Sequence, residues 1–284
     1  MKLNLSLSKF KKKHLDKVNQ VVFVSEKLNN KSIIERLVNN FLKEKNSFVF
    51  ESVEKGKIRG RYTIFGKNPD KIWELNDDKV ISIINNTKKK IRTKPYFFLN
   101  KLIQSFKFNT PKSLPPICSL LSGFFSYDII RYIENISDNC KDDLKLPDVR
   151  LMRPRSIIIH DNLKKKIHFI VNCYADEKIK NYKKKFNLIV NDLKNLKNIA
   201  NHKTLNLNCT SSKKKFLKIK SNISKKHFKK IVLKAKKEIK LGNIFQVVLS
   251  QRFETKLTKT PLEIYKKLRL TNPSPFMYFF NFND

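Results

Sequence analysis

The sequence predicts an α+β fold: a β-rich N-terminal domain with flanking helices, followed by the start of a second α+β domain. Three observations carry this. Runs of β-branched and aromatic residues recur between turn residues, as in Phe48-Val-Phe-Glu-Ser-Val53 and Arg61-Tyr-Thr-Ile-Phe65, and such runs read as strands. Between them lie stretches whose apolar residues repeat at helical spacing, notably Ser32–Leu42 and Ser224–Leu241. Hydrophobic residues make up 40% of the 284 positions, 22 of them Phe, enough for a packed core in one large or two modest domains.

Taken in order, residues 1–19 read as a basic lead-in of weak periodicity, residues 20–196 as the first domain, 197–221 as a polar, irregular linker, and 222–284 as the beginning of the second domain. Gln20–Val24 is a short strand. Ser32–Leu42 places Ile33, Ile34, Leu37, Val38 and Phe41 on one helical side, with Ser32 at the N-cap and Glu35 three residues on. Ser47–Val53 and Gly60–Gly66 pair as a hairpin around Glu54-Lys55-Gly56-Lys57. Pro69–Trp73 and Lys79–Ile84 are further strand material, and Tyr96–Phe106 is a helix. Arg155–His160 and Lys166–Cys173 form a second hairpin turned at Asp161-Asn162. Glu177–Leu196 is a lysine-rich helix. Ser224–Leu241 is a helix capped by Ser224 and ended by Gly242. Gly242–Phe253 reads as a strand. Thr260 and Pro261 open a short helix that carries Leu262, Tyr265 and Leu268. Asn272-Pro-Ser-Pro275 is a rigid turn, and Phe276–Phe282 is a strand apolar on both faces, suited to cover on both sides. An uncovered strand of that composition invites aggregation, so the sheet reads as unfinished and the chain as the front part of a longer protein.

Composition excludes several classes. The net charge is +38, which raises a basic nucleic-acid-binding module as an alternative. However, the lysine runs (Lys11–Lys13, Lys88–Lys90, Lys164–Lys166, Lys183–Lys185, Lys213–Lys215) are scattered over the chain, with no recognisable nucleic-acid motif among them. They read as compositional drift, and no nucleic-acid partner is expected. Cys118, Cys140, Cys173 and Cys209 lack C-x-x-C spacing, which argues against a zinc site and a disulfide framework and for reduced thiols in a cytoplasmic protein. No apolar run reaches the ~18 residues of a membrane span, so no membrane partner is expected. The phosphate-binding loop and the H-E-x-x-H pattern are both missing, and the five histidines are isolated in sequence; His160 and His168 read as surface or packing residues.

Several runs carry a family resemblance. Gly242-Asn-Ile-Phe-Gln-Val-Val-Leu-Ser-Gln-Arg-Phe253 and Asn272-Pro-Ser-Pro-Phe-Met277 are joined by Val49-Phe-Glu-Ser-Val-Glu54, Gly60-Arg-Tyr-Thr-Ile-Phe-Gly66 and Gly123-Phe-Phe-Ser-Tyr-Asp-Ile-Ile-Arg131. Together they resemble component I of anthranilate synthase over residues 20–284. Departures from the family pattern are Asn243 for an acidic residue, Phe276 for Tyr, and Leu121 and Ser122 where the family carries glycine. The resemblance implies that the second domain, from 222 on, is the start of a chorismate-binding α+β domain. It implies a lyase that makes anthranilate and pyruvate from chorismate and ammonia, the first step of L-tryptophan biosynthesis. The implied cofactor is Mg²⁺, and the implied partner is a glutamine amidotransferase subunit that supplies the ammonia. In the family the catalytic histidine and the metal-binding glutamates lie beyond the Asn-Pro-Ser-Pro run, so no catalytic or metal-binding residue is carried over and these 284 residues alone are expected to be inactive. The resemblance does imply a feedback site for L-tryptophan at Ser52, Pro275, Phe276 and Met277. A serine hydroxyl suits an amino acid's polar end, while Met and an aromatic ring suit an indole. The neighbouring enzyme family, aminodeoxychorismate synthase component I, shares the plan; the Ser-Tyr-Asp-x-x-Arg and Leu-Pro-Asp-x-x-x-x-Arg-Pro runs favour the anthranilate branch.

Overall fold

The computed structural model describes residues 2–28, 32–52, 60–137, 142–202 and 218–282. It is an α+β structure that divides into two compact units, residues 1–205 with 265–284, and residues 206–264. In chain order the elements are α1 (Leu7–Leu15), β1 (Gln20–Lys27), α2 (Ile33–Asn40), β2 (Ser47–Glu51), β3 (Tyr62–Asn76), β4 (Lys79–Ile84), β5 (Thr87–Ile91), α3 (Pro95–Ser105), β6 (Ser122–Phe125), β7 (Val149–Asp161), β8 (Lys166–Cys173), α4 (Tyr182–Asn201), β9 (Lys220–Ser221), α5 (Lys225–Lys240), β10 (Phe253–Glu254), α6 (Pro261–Thr271) and β11 (Met277–Asn281).

The first unit is built on a nine-stranded antiparallel sheet with the path β1-β8-β7-β3-β2-β11; β4 pairs with β3 and β5, and β6 pairs with β7. Its spine is the long β3–β7 ladder, from Tyr62 opposite Asp161 to Leu75 opposite Val149, with a register shift between Pro69 and Lys71. Pro69 faces Pro154 across that ladder. Proline cannot donate to a ladder, and both prolines lie where the outer neighbours change. On β3, β2 covers Thr63–Gly66 and β4 covers Ile72–Asn76. On β7, β8 covers Ser156–Asp161 and β6 covers Val149–Met152. The hairpin turn around Glu54–Lys57 lies outside the described residues, but its two strands pair as expected.

Side chains alternate between the faces of a strand, so register assigns each residue to a layer. One face carries Val22, Val24, Phe65, Ile158 and Phe169, all buried, beneath α4, which lies against β8, β1 and β7. Phe41, just past α2, meets Phe65 edge-on at 5.7 Å between centroids. The opposite face gathers Val21, Phe23, Ile157, Ile159 and Ile170 with Leu114 and Cys118. Toward β2 the same layer continues through Phe48, Ile72 and Met152, with Phe50, Phe280 and Phe282 packed on them.

Several expectations are corrected. Residues 1–19 are more than a loose lead-in: Leu7–Leu15 is a helix capped by Ser6, whose hydroxyl accepts from the Lys9 N–H. Phe10 is fully buried against Phe186 at 5.5 Å, a burial that contributes roughly 2 kcal/mol. Phe10 and His14 are the helix's two buried residues, too thin a stripe among lysines to show as periodicity. The Lys-rich helix begins at Tyr182 rather than Glu177, because Asn181 caps it by accepting from the Lys184 N–H. Glu177 instead turns inward to Arg155 and Lys185. That helix runs on to Asn201, so the linker expected from 197 opens with helical residues; residues 203–217 lie outside the description.

The largest correction falls in the second unit. Gly242–Phe253 forms no strand except at Phe253, which pairs with Ser221 in a two-residue ladder. Phe245 is 99% and Val248 82% exposed. A strand needs a neighbour to bond with, and among the described residues this run has only β9. By contrast Phe276–Phe282 does supply a strand, but one paired with β2 rather than unpaired. Both of its faces are contacted, Phe279 by Tyr265 and Phe280 by the Phe48 layer, though Tyr278 is 67% exposed. Among the described residues no helix is long and apolar enough to cross a membrane. Cys118 and Cys173 are buried free thiols; Cys140 and Cys209 lie outside the description. His160 and His168 are both buried, so the packing reading holds for them.

Candidate functional site

The site begins with the inward positions of β2. Ser47, Val49 and Glu51 alternate to the helix-covered face, and this places a carboxylate among apolar neighbours. Burying it without partners would cost several kcal/mol. The Glu51 carboxylate therefore draws two donors from α6: the Tyr265 hydroxyl donates to Oε1, and Arg269 Nε donates to the same oxygen at 2.6 Å. Burial, reinforced by the adjacent Glu51 carboxylate, pushes the Tyr265 hydroxyl well above its ordinary pKa. Tyr265 and Arg269 stand one helical turn apart and so share a face. Thr260 opens this helix: its side chain accepts from the Glu263 N–H while Glu263 accepts from the Thr260 N–H, a reciprocal cap.

Of the four predicted effector residues, Met277 and Ser52 flank this centre. Met277 is the register partner of Glu51 in the β2–β11 ladder and is buried. Ser52 follows Glu51 directly, and its buried Oγ has no hydrogen-bond partner among the described residues. Phe276 precedes Met277 but is 87% exposed, so replacing the family's Tyr leaves no buried hydroxyl site empty. Pro275 is half-buried. The ladder thus ends where Glu51 meets Met277, one residue short of Ser52 and of Phe276, and Phe276 itself faces solvent. Arg269 was missed by sequence reasoning. The signal was the lone acid at an inward position of β2, which demands a buried donor, and an Arg four residues after Tyr265.

Two other sequence runs also meet. The Ser126 N–H donates to the Asp148 carbonyl at 2.6 Å, and the Tyr132 hydroxyl donates to Asp148 Oδ2 at 2.8 Å. The Ser-Tyr-Asp-x-x-Arg and Leu-Pro-Asp runs are therefore one structural corner. Gly123, which opens the first run, lies so close to β7 that a Cβ would fall 1.8 Å from the Arg150 carbonyl oxygen; only glycine fits there.

Among the described residues no three His, Cys, Asp or Glu side chains gather as a metal site requires. Among the described residues no set therefore fits the Mg²⁺ that the resemblance implies, whose ligands the resemblance places after the Asn272–Pro275 run.

With this geometry in place, comparison with known proteins defines the class. Residues 45–284 match the chorismate binding enzymes, and the chain belongs to that family. Within it, the chain is similar to anthranilate synthase component 1 of Acetivibrio thermocellus, with 36% identity over 83% of this chain and 48% of that protein. It is also similar to the chloroplastic anthranilate synthase alpha subunit 1 of Oryza sativa subsp. indica, with 33% identity over 83% of this chain and 44% of that protein. The crystal structure of anthranilate synthase component I from Streptococcus pneumoniae TIGR4 superposes with a TM-score of 0.66 at 28% identity, over 79% of this chain and 48% of that one. The chain spans about half the length of the curated relatives it matches.

Proposed function

We propose that this chain serves in the cytoplasm as anthranilate synthase component I, acting on chorismate with ammonia delivered by a glutamine amidotransferase subunit, and that L-tryptophan regulates it at Ser52 and Pro275–Met277. The segment from 222 onward belongs, in this reading, to the start of the chorismate-binding domain. The observation that carries the reading is the β2–β11 ladder, which sets Glu51 opposite Met277 and so unites two runs more than two hundred residues apart in sequence. Ser52, next in sequence to Glu51, offers a buried hydroxyl with no hydrogen-bond partner among the described residues, able to bond the polar end of an amino acid, and the buried Met277 thioether offers a soft wall for an indole.

The reading leaves the reacting groups and the Mg²⁺ ligands outside these residues, so no chemical step is assigned to a side chain here. The test is anthranilate fluorescence with chorismate, ammonium and Mg²⁺. The 284 residues alone should give no turnover above background. The same chain mixed with a separately expressed second half of the Acetivibrio thermocellus relative should give turnover, and adding the amidotransferase subunit should allow glutamine to replace ammonium. Turnover by the chain alone would overturn its predicted inactivity. Failure of the folded mixture would count against the assignment. For the effector, calorimetry should show L-tryptophan binding that Ser52→Ala and Met277→Ala each weaken; binding unaltered by both substitutions would mean the effector sits elsewhere.

A further inference from the structure

β11 is the terminal strand of the sheet path and pairs with β2 over five residues, Met277–Asn281 against Ser47–Glu51. A short ladder at a sheet edge is weakly held by its backbone bonds alone. Here α6 grips both strands. The Tyr265 ring lies 5.3 Å from the Phe279 ring of β11, while the Tyr265 hydroxyl and Arg269 Nε both hold the Glu51 carboxylate of β2. Glu51 and Tyr265 are each 5% exposed, so water cannot replace either donor at low cost. If β2 shifted along β11, the carboxylate would leave both donors, and a one-residue slip would turn Glu51 to the opposite face.

We propose that Tyr265 and Arg269 are positioning residues for the tryptophan site: by clamping Glu51 they fix the β2–β11 register, and with it where Ser52 and Met277 fall at the end of that ladder. The effector role of Ser52 and Met277 is taken from the proposed function; the clamp itself stands on the contacts above. Effector affinity is then set from α6, by residues that need not touch the effector.

The experiment uses the full chain and the variants Tyr265→Phe, Arg269→Met and Arg269→Lys, read by amide hydrogen exchange and by L-tryptophan calorimetry. Arg269→Met should speed exchange at Met277–Asn281 and Ser47–Glu51 about tenfold or more, as loss of a charged hydrogen bond predicts. Exchange at Ile157–Ile159 and Ile170 should stay unchanged. Tyr265→Phe should do the same to a smaller degree, and Arg269→Lys should recover part of the protection. Tryptophan binding should weaken in the same order. Unchanged exchange at β2 and β11 in both Tyr265→Phe and Arg269→Met would overturn the clamp. So would an equal rise at Ile157–Ile159, since that is a general loss of stability, or full tryptophan affinity in Arg269→Met. If the wild-type chain binds no tryptophan while exchange responds locally, the clamp stands and the effector reading of Ser52 and Met277 fails instead.

Discussion

Ser47-Phe-Val-Phe-Glu51 and Phe245-Gln-Val-Val-Leu249 are both runs of aromatic and β-branched residues. The first lies between β3 and β11, with Phe48 and Val49 fully buried. The second has no regular structure, and Phe245 and Val248 stand in solvent. Their difference shows that β-propensity describes a fit to a half-buried, pleated surface. The first run is given that surface by β3 and the layer under it. The described residues give the second run none.

The sharpest way to break the comparison is a matched pair of substitutions. Phe48→Ala removes a fully buried ring from the Ile72–Met152 layer and should cost about 3–5 kcal/mol. Phe245→Ala should change stability by less than about 0.5 kcal/mol. Urea unfolding followed by the single tryptophan, Trp73, which lies in the sheet of the first unit, reads both. Equal costs would mean that the second run is packed in solution.

A middle-sized effect comes from acid, because among the described residues only the first unit holds buried titratable groups on its strands. Burial pushes the pKa of His160 and of His168 below the ordinary histidine value. Both bind protons less readily folded than unfolded, so stability should fall as pH drops below about 6.5. Burial raises the Glu177 pKa, but Arg155 and Lys185 outweigh it and hold the carboxyl below its usual range. Its contribution is present above about pH 4.3 and should be lost as pH falls further. Melting temperature against pH should show both falls. His160→Gln should flatten the upper one and Glu177→Gln the lower; a curve level from pH 7 to 5 would contradict the buried histidines.

The smallest expected effect sharpens the other side. Val248→Lys should leave the melting temperature within about a degree, since exposed sites rarely contribute, while reducing self-association of an uncovered apolar run. Light scattering at rising protein concentration would detect this, and a large drop in melting temperature would reveal hidden packing.

The first unit was largely legible because its signals were local and mutually consistent. β2, β3, β7 and β8 alternate or run apolar, and α3 starts within one residue of the expected helix; in the second unit Ser224 likewise caps α5 as read, accepting from the His227 N–H. What escaped were features that depend on a distant neighbour. Phe10 became a core residue only because α4 supplied Phe186. The partner of β11 proved to be β2, two hundred residues earlier in sequence. At the candidate site, the Glu51-Ser52 and Phe276-Met277 runs were visible as motifs. The role of Arg269 was not, since one arginine on a short helix carries no signal until the buried carboxylate it meets is known.

The β3–β7 ladder joins segments that the chain separates by some hundred residues near Tyr62 and Asp161. Closing such a loop takes its entropy before any contact rewards it, and folding rates fall as such distant pairings dominate a topology. The β7–β8 hairpin, turned within a few residues, can form early, and β1 can then join its free edge. β3 must arrive late and bring β2 with it. Until it does, the ladder awaiting β11 has no foundation, so refolding after dilution from denaturant should be slow, and its slow phase should be the one that restores protection to Met277–Asn281.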